Sequence, residues 1–326
     1  MNAPATFDPQ AFRAALGTFT TGVTIITTRT AEGEAVGITA NSFNSVSLNP
    51  PLVLWSLAKS ARSLPAFSDG RHWNVHVLAA EQEALSGRFA TQGSDKFAGI
   101  ELDEGVSSAP LLPACTARFQ CRTAFQYEGG DHVIFVGEVL AFDSSERPPL
   151  AFQSGQYALA ARKPRQELRL GATPPPECSY TEDLLGYLLG RAHYQMLDSL
   201  RRLLAEQRLD EHVFFILSVL CIRDNLTLDE INAFVGYTGH RVTAQTLADL
   251  ERSDLIACEN GHDGIRRYLL TAAGRERSLH EIALAKAVES TVADKLDAAD
   301  AMALKVLLKR LVASTDPGLP DLWGAR

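Results

Sequence analysis

Residues 118–127 read Arg-Phe-Gln-Cys-Arg-Thr-Ala-Phe-Gln-Tyr, in which Phe119, Cys121, Thr123, Phe125 and Tyr127 alternate with Arg118, Gln120, Arg122 and Gln126. A period of two is that of a β-strand, so the stretch predicts a half-buried strand with one wet face. Gly129-Gly130-Asp131 follows and predicts a tight turn. Residues 132–143, HVIFVGEVLAFD, are apolar on both faces and predict a central strand. Upstream, GVTIIT (22–27), AVGITANSF (35–43), PPLVLWSLA (50–58) and WNVHVLA (73–79) read as further strands, the last after a polar break. Asp8 as N-cap and Pro9 in the first turn predict a short helix to about Leu16. Many short strands joined by tight turns argue for an antiparallel barrel or sandwich and against a doubly wound sheet. No GxGxxG follows a strand. Gly17 and Gly22 have the spacing of a P-loop but lack its Gly-Lys-Ser/Thr.

The composition changes near residue 165. Residues 165–180, with Pro174-Pro175-Pro176, read as a linker between a domain at 1–164 and another at 181–316, with a tail at 317–326. Helices are predicted over Leu184 to Leu204 and His212 to Cys221. Thr227 and Glu230 have capping-box spacing, and VTAQTLADLERSD (242–254) predicts a further helix. Residues 255–258 and 267–270 read as two short strands around a polar loop, and one long helical stretch runs from about Ala273 to Val312. Helices, hairpin and a closing helix make a winged helix-turn-helix. The fold class expected is therefore α+β multidomain: an antiparallel β-barrel or sandwich, then a mainly helical winged domain.

At 326 residues, two domains are the prior expectation. A net charge of −8 disfavours non-specific binding to nucleic acid or anionic membrane. No segment approaches the roughly 18 apolar residues of a membrane span. The N-terminus lacks a basic patch followed by an apolar stretch, so no secretory signal is expected. Five cysteines, at 115, 121, 178, 221 and 258, form no CxxC pair and indicate neither a disulfide framework nor a zinc site. These features predict a cytoplasmic protein without metal.

Two stretches carry binding chemistry. Thr39-Ala40-Asn41-Ser42 sets small residues, backbone donors and polar side chains at a strand end. Ser56, Lys59, Ser60, Arg62 and Ser63 form a basic, hydroxyl-rich run that can hold a phosphate by charge-assisted hydrogen bonds. His132, at a strand start, is on these grounds either structural or functional.

FRAALGTFTTGVTIITT (12–28), VGITANSFNSVSLNPPLVLWSLAKSARS (36–63), the FA and DKF pair (89–90, 95–97), GGDHVIFVGEV (129–139) and SGQY (154–157) occur in one order. Residues 12–160 thereby resemble the short-chain flavin reductases, FMN-binding split barrels that serve two-component monooxygenases. The resemblance implies NADH-dependent reduction of flavin, FMN before FAD, for a partner monooxygenase. It implies flavin contacts at Thr39, Ala40, Asn41, Ser42, Ser56, Leu57, Ala58, Lys59, Ser60, Ser63, Phe89 and Lys96. His132 and, less specifically, Tyr157 are implied at the nicotinamide. Hydride passes directly between cofactors, so no general acid or base is expected.

Residues 181–312 resemble the MarR class of winged-helix regulators, on LTLDEINAFVG, VTAQTLADLERSDLI, Arg266-Arg267 and LLTAAGRE. Residues 165–326 hold 19 Lys and Arg against 24 Asp and Glu, an unfavourable balance for DNA. The resemblance instead implies an organic, aromatic effector, for which Tyr187, His193, Tyr194, Arg201 and Phe214 are suitable residues, and a homodimer. A flavin-sensing transcription regulator, and a domain that only dimerises or packs, are the alternatives. A barrel oxidase of another substrate, such as a pyridoxamine-type vitamer, has no support beyond fold.

Overall fold

The computed structural model describes residues 8–93, 95–161, 183–206, 210–261 and 263–324; the expected linker at 165–180 lies outside the described residues. The chain divides into two compact units, residues 1–163 with 298–305 and residues 164–297 with 306–326.

The first unit opens with helix α1 (Pro9–Gly17), where the Gln10 amide donates to Asp8 Oδ1 at 3.0 Å, the cap that the sequence predicts. Ten strands follow: β1 (Thr21–Gly22), β2 (Thr24–Arg29), β3 (Ala35–Ala40), β4 (Asn44–Leu48), β5 (Pro51–Ala58), β6 (His72–Val77), β7 (Ala117–Gly129), β8 (His132–Ser144), β9 (Leu150–Gln153) and β10 (Gln156–Leu159). Helix α2 (Leu64–Asp69) precedes β6, and α3 (Glu83–Ala90) follows it. Seven strands form an antiparallel sheet in the order β3-β2-β6-β7-β8-β5-β4, and β1, β9 and β10 form a second, smaller one.

The large sheet curls. Trp73 on β6 and Trp55 on β5 are three strand spacings apart, about 14 Å in a flat sheet, yet their rings lie 6.0 Å apart. Phe135 stacks on Trp55 at 5.0 Å, and Phe67 of α2 closes the cluster edge-on at 4.8 Å. All four rings are fully buried. Gly137 permits the closeness, since a Cβ there would lie 2.4 Å from the Trp73 ring.

The stretch that opens the sequence analysis is a strand, but its alternation does not hold to the end. Register shifts fall between Gln120 and Cys121 and between Thr123 and Phe125. The first leaves Leu140 of β8 without a partner and the second Ala124 of β7, so only the second exchanges the faces of β7. Beyond it Phe125 and Tyr127 are exposed, whereas Gln120, before it, is buried, with its Oε1 accepting the Val106 amide at 2.7 Å. The turn is as expected, with Gly130 at φ +72. The predicted strand 35–43 ends at Ala40 and the chain restarts as β4 at Asn44, freeing Asn41 to Phe43 from the ladder.

The second unit contains α4 (Leu185–Glu206), α5 (Glu211–Ile222), α6 (Leu228–Val235), α7 (Ala244–Arg252), the hairpin β11 (Ile256–Asn260) and β12 (Arg266–Leu270), and α8 (Ala272–Ala293). Helix α9 (Ala298–Thr315) is divided between the two units. The capping box is complete: the Glu230 amide donates to Thr227 Oγ1 at 3.2 Å and the Thr227 amide to Glu230 Oε2 at 2.7 Å. The single helical stretch expected from Ala273 to Val312 is two helices. Asp294 and Asp297 bracket the break, where short polar side chains favour ends over interiors. The expected tail is tied down within the described residues, because the Arg223 guanidinium donates to the carbonyls of Asp321 and Leu322 at 2.9 and 2.8 Å. No described helix is long and apolar enough to cross a membrane.

Candidate functional site

The ends of β3, β5 and β8 are tied together by short-range polar contacts. Ser42, just past β3, accepts the Ser56 amide on its Oγ at 2.9 Å and donates to the Ser56 carbonyl at 3.1 Å. The β5–β8 register sets Ala58 opposite His132, and the next amide, of Lys59, donates to the Asp131 carbonyl at 2.9 Å. His132 Nδ1 lies 2.7 Å from Asp131 Oδ1. A carboxylate only accepts, so Nδ1 carries the proton in this contact and Nε2 is the nitrogen left to a ligand. That hydrogen bond also holds the Asp131 carboxyl below its usual range. The Lys59 ammonium meets the Glu128 carboxylate.

A second group centres on Ser86 of α3, which is fully buried. Its carbonyl accepts the Thr39 hydroxyl at 2.7 Å, and its Oγ accepts the Tyr157 hydroxyl at 2.9 Å. One residue therefore fixes β3 and β10 to α3. Nearby, a cleft of about 510 Å³ is lined by Gly37, Arg62, Ser63, Phe89, Thr91 and Lys96, among others. Its wall depends on Gly37, where a Cβ would lie 2.4 Å from the Phe89 ring. Lys96 donates to the carbonyls of Phe89 at 2.8 Å and Gly37 at 3.2 Å, and burial pushes its ammonium pKa down.

The expected residues thus fall into four sets. Ser63, Phe89 and Lys96 share the cleft; Ser42 and Ser56 are bonded to each other; Ala58, Lys59 and His132 meet at the β5–β8 end; Thr39 and Tyr157 meet through Ser86. Ala40 ends β3, and Asn41 and Ser60 are exposed beyond the strand ends. Leu57 points the other way, 3% exposed in the aromatic core, so only its backbone is available to a ligand. Sequence reasoning missed Ser86, which carries no motif of its own. It also missed Gly37, although a glycine inside a strand is a signal of close approach.

Buried Cys121 has its thiol pushed up to about 12 and Cys115 to about 11, both by burial, which leaves them poor nucleophiles. No cluster of three or more metal-ligating side chains occurs among the described residues. In the second unit the five residues considered for an effector do not converge. Phe214 is buried with Leu197, Leu200 and Leu204, Arg201 is held by Glu211, and His193 and Tyr194 are exposed on α4.

Residues 16–160 match the flavin reductase like domain family. The FMN reductase (NADH) SmoA of Agrobacterium fabrum is 46% identical over 160 residues, which are 49% of this chain and 91% of that protein. The chain therefore belongs to the flavin reductase family. The reductase component of a flavin-dependent trigonelline monooxygenase from Acinetobacter baylyi is 39% identical over 150 residues, 46% of this chain; the match spans 48% of that longer relative. Among solved structures, the Streptomyces globisporus NADH:FAD oxidoreductase SgcE6 is 36% identical, with a TM-score of 0.46, covering 50% of this chain and 100% of that one.

Proposed function

We propose that this chain is an NADH:flavin oxidoreductase that hands reduced flavin to a separate flavin-dependent monooxygenase. The reading is carried by the Asp131–His132 hydrogen bond at a strand end that β5–β8 pairing sets opposite Ala58 and beside Lys59. The relatives' names agree with it: one is an FMN reductase using NADH, another a monooxygenase reductase component.

The donor set fits a flavin. Small residues and backbone groups at 39–42 and 56–60 suit a uracil edge, and the cleft supplies Arg62, Ser63 and Lys96 for a phosphate. When bound, flavin and nicotinamide supply the hydride chemistry themselves. The chain's own residues bind and orient. Asp131 holds the His132 ring so that Nε2 is presented to a carboxamide, and Ser86 keeps Tyr157 in place.

Over 181–316 the order of helices and hairpin supports a MarR-like winged helix, and with it a homodimer and control by a small organic effector. A DNA-binding sensor is disfavoured by the pairing of Arg252, Arg266 and Arg267 with carboxylates. Steady-state NADH oxidation with FMN, FAD or no flavin tests the proposal, repeated for His132→Ala and across small aromatic acids. Flavin-dependent turnover is expected, with KM for NADH raised about tenfold in the variant, the loss of one hydrogen bond of about 1.4 kcal/mol. Absence of turnover with either flavin sinks the reading. A rate indifferent to every acid sinks the effector alone.

A further inference from the structure

Helix α8 carries a carboxyl group inside the helical unit. Glu281 is fully buried, as is Ser278 one turn earlier, and α8 packs on α4, α5 and β12. Arg277 Nε donates to Glu281 Oε1 at 3.0 Å, yet the Arg277 side chain is 32% exposed and Glu281 Oε2 receives no hydrogen bond. The Ser278 hydroxyl donates to the Leu217 carbonyl of α5 at 3.1 Å, and the neighbouring Ser218 hydroxyl is buried without a partner. An ionised carboxylate accepts on both oxygens, so burying one of them unpaired is costly, whereas the protonated acid is far less so.

Among the described residues, the elements packed against α8 supply no ion pair to Glu281. Where α4 packs on α8, Arg201 and Arg202 are held by Glu211 and Asp198, and Glu206 is exposed. His212 of α5 lies against the His240 ring, and Arg266 and Arg267 of β12 are paired with Glu251 and Asp263. Cys221 of α5 and Tyr268 of β12 pack in the apolar core around α6 and α7. The charges that act on Glu281 are Arg277 and His280 of its own helix.

We propose that the α5–α8 joint is a proton-sensitive element of this protein, loosened when Glu281 is ionised and tightened when it is protonated. Burial pushes the Glu281 carboxyl above its ordinary 4.5, against the opposing pull of Arg277. From 4.5 up to that raised value the folded unit binds more protons than the unfolded chain, so its stability falls as pH rises. The sheet unit contains the reverse case in buried His76, whose pKa is lowered from 6.5 to about 4. Mild acid thus tightens one unit and loosens the other.

The test is hydrogen exchange of the full chain, read by mass spectrometry on peptides covering 211–222 and 272–293 and corrected for the intrinsic effect of pH. In the parent, both helices are expected to be protected several-fold more at pH 5 than at pH 7.5. Glu281→Gln, which keeps the shape without the charge, should show the higher protection at both pH values and leave peptides of β6 and β7 unchanged. A parent indifferent to pH overturns the proposal, and so does a dependence that survives unchanged in Glu281→Gln. Weaker protection of α5 and α8 in Glu281→Gln at pH 7.5 overturns it as well, since the carboxylate is then an anchor.

Discussion

The two units treat their charged groups in opposite ways at the places where a ligand is expected. Around the hairpin of the helical unit, Arg266 lies 3.3 Å from Glu251, and Arg267 lies 3.1 Å from Asp263 and 3.6 Å from Glu230. Arg252 is held by Asp249, and His240 Nε2 is 3.6 Å from Glu211. The sheet unit pairs many of its arginines as well, Arg118 with Asp103 and Asp143, Arg122 with Glu138. At its cleft, however, Arg62 has no carboxylate partner. A cation already matched has little left for a polyanion, whereas an unmatched one beside a cleft is a binding group. Counting arginines in a sequence therefore says less than knowing which of them are neutralised.

The largest effect expected on the sheet side is in its aromatic core. Trp55→Ala should destabilise by about 3–5 kcal/mol, read by urea denaturation, because the site cannot collapse around four packed rings. Trp55→Phe should cost much less. The Trp55 indole N–H is buried without an acceptor, so its removal relieves an unsatisfied donor. Equal losses in the two variants would show that volume does not govern this core.

Next is a pH effect from a buried histidine of the sheet unit. His76 is fully buried; its Nδ1 donates to the Ile25 carbonyl at 2.9 Å and its Nε2 accepts the Leu112 amide at 3.0 Å. The Leu112 amide requires an unprotonated Nε2 and hence the neutral ring, and burial lowers the pKa from 6.5 to about 4. Between these values the unfolded chain binds more protons than the folded one. Stability should therefore fall as pH drops through 6.5 towards 4, by about 3 kcal/mol, and be flat above 6.5. Denaturation midpoints at pH 7, 5.5 and 4.5, compared with those of His76→Gln, check this; parallel curves for the two proteins would refute it.

The smallest effect belongs to the helical unit. Arg266→Ala or Arg267→Ala should each cost no more than about 1 kcal/mol, as exposed pairs do, and leave affinity for duplex DNA at low salt unchanged from an already low value. A duplex bound tightly by the parent chain and lost in either variant would break the contrast drawn between the units.

Much of the fold was legible because local rules and tertiary demands agree. The hairpin of β7 and β8 announces itself by alternation and by Gly129-Gly130-Asp131, and the Thr227 capping box forms as its spacing requires. The bulge at Ala124 was not legible, since alternating sequence is silent about an inserted residue until pairing with β8 is known. Helices α2 and α3 have six and eight residues, too short to establish a 3.6-residue period. At the site, the stretches at 39–42 and 56–63 were visible as clusters of donors. Which donors are free was not, because Thr39, Ser42, Lys59 and Lys96 are engaged by partners distant in sequence.

The joint at Ser86 has a consequence for any dissection of this site by mutation. Thr39 and Tyr157 come from strands at opposite ends of the unit's sequence, yet both hydroxyls end on this one buried residue. Removing either loosens the same anchor, so their losses should overlap instead of summing, and neither measures a separate contribution. Arg62 has no hydrogen bond in common with them, and its loss should combine with theirs additively.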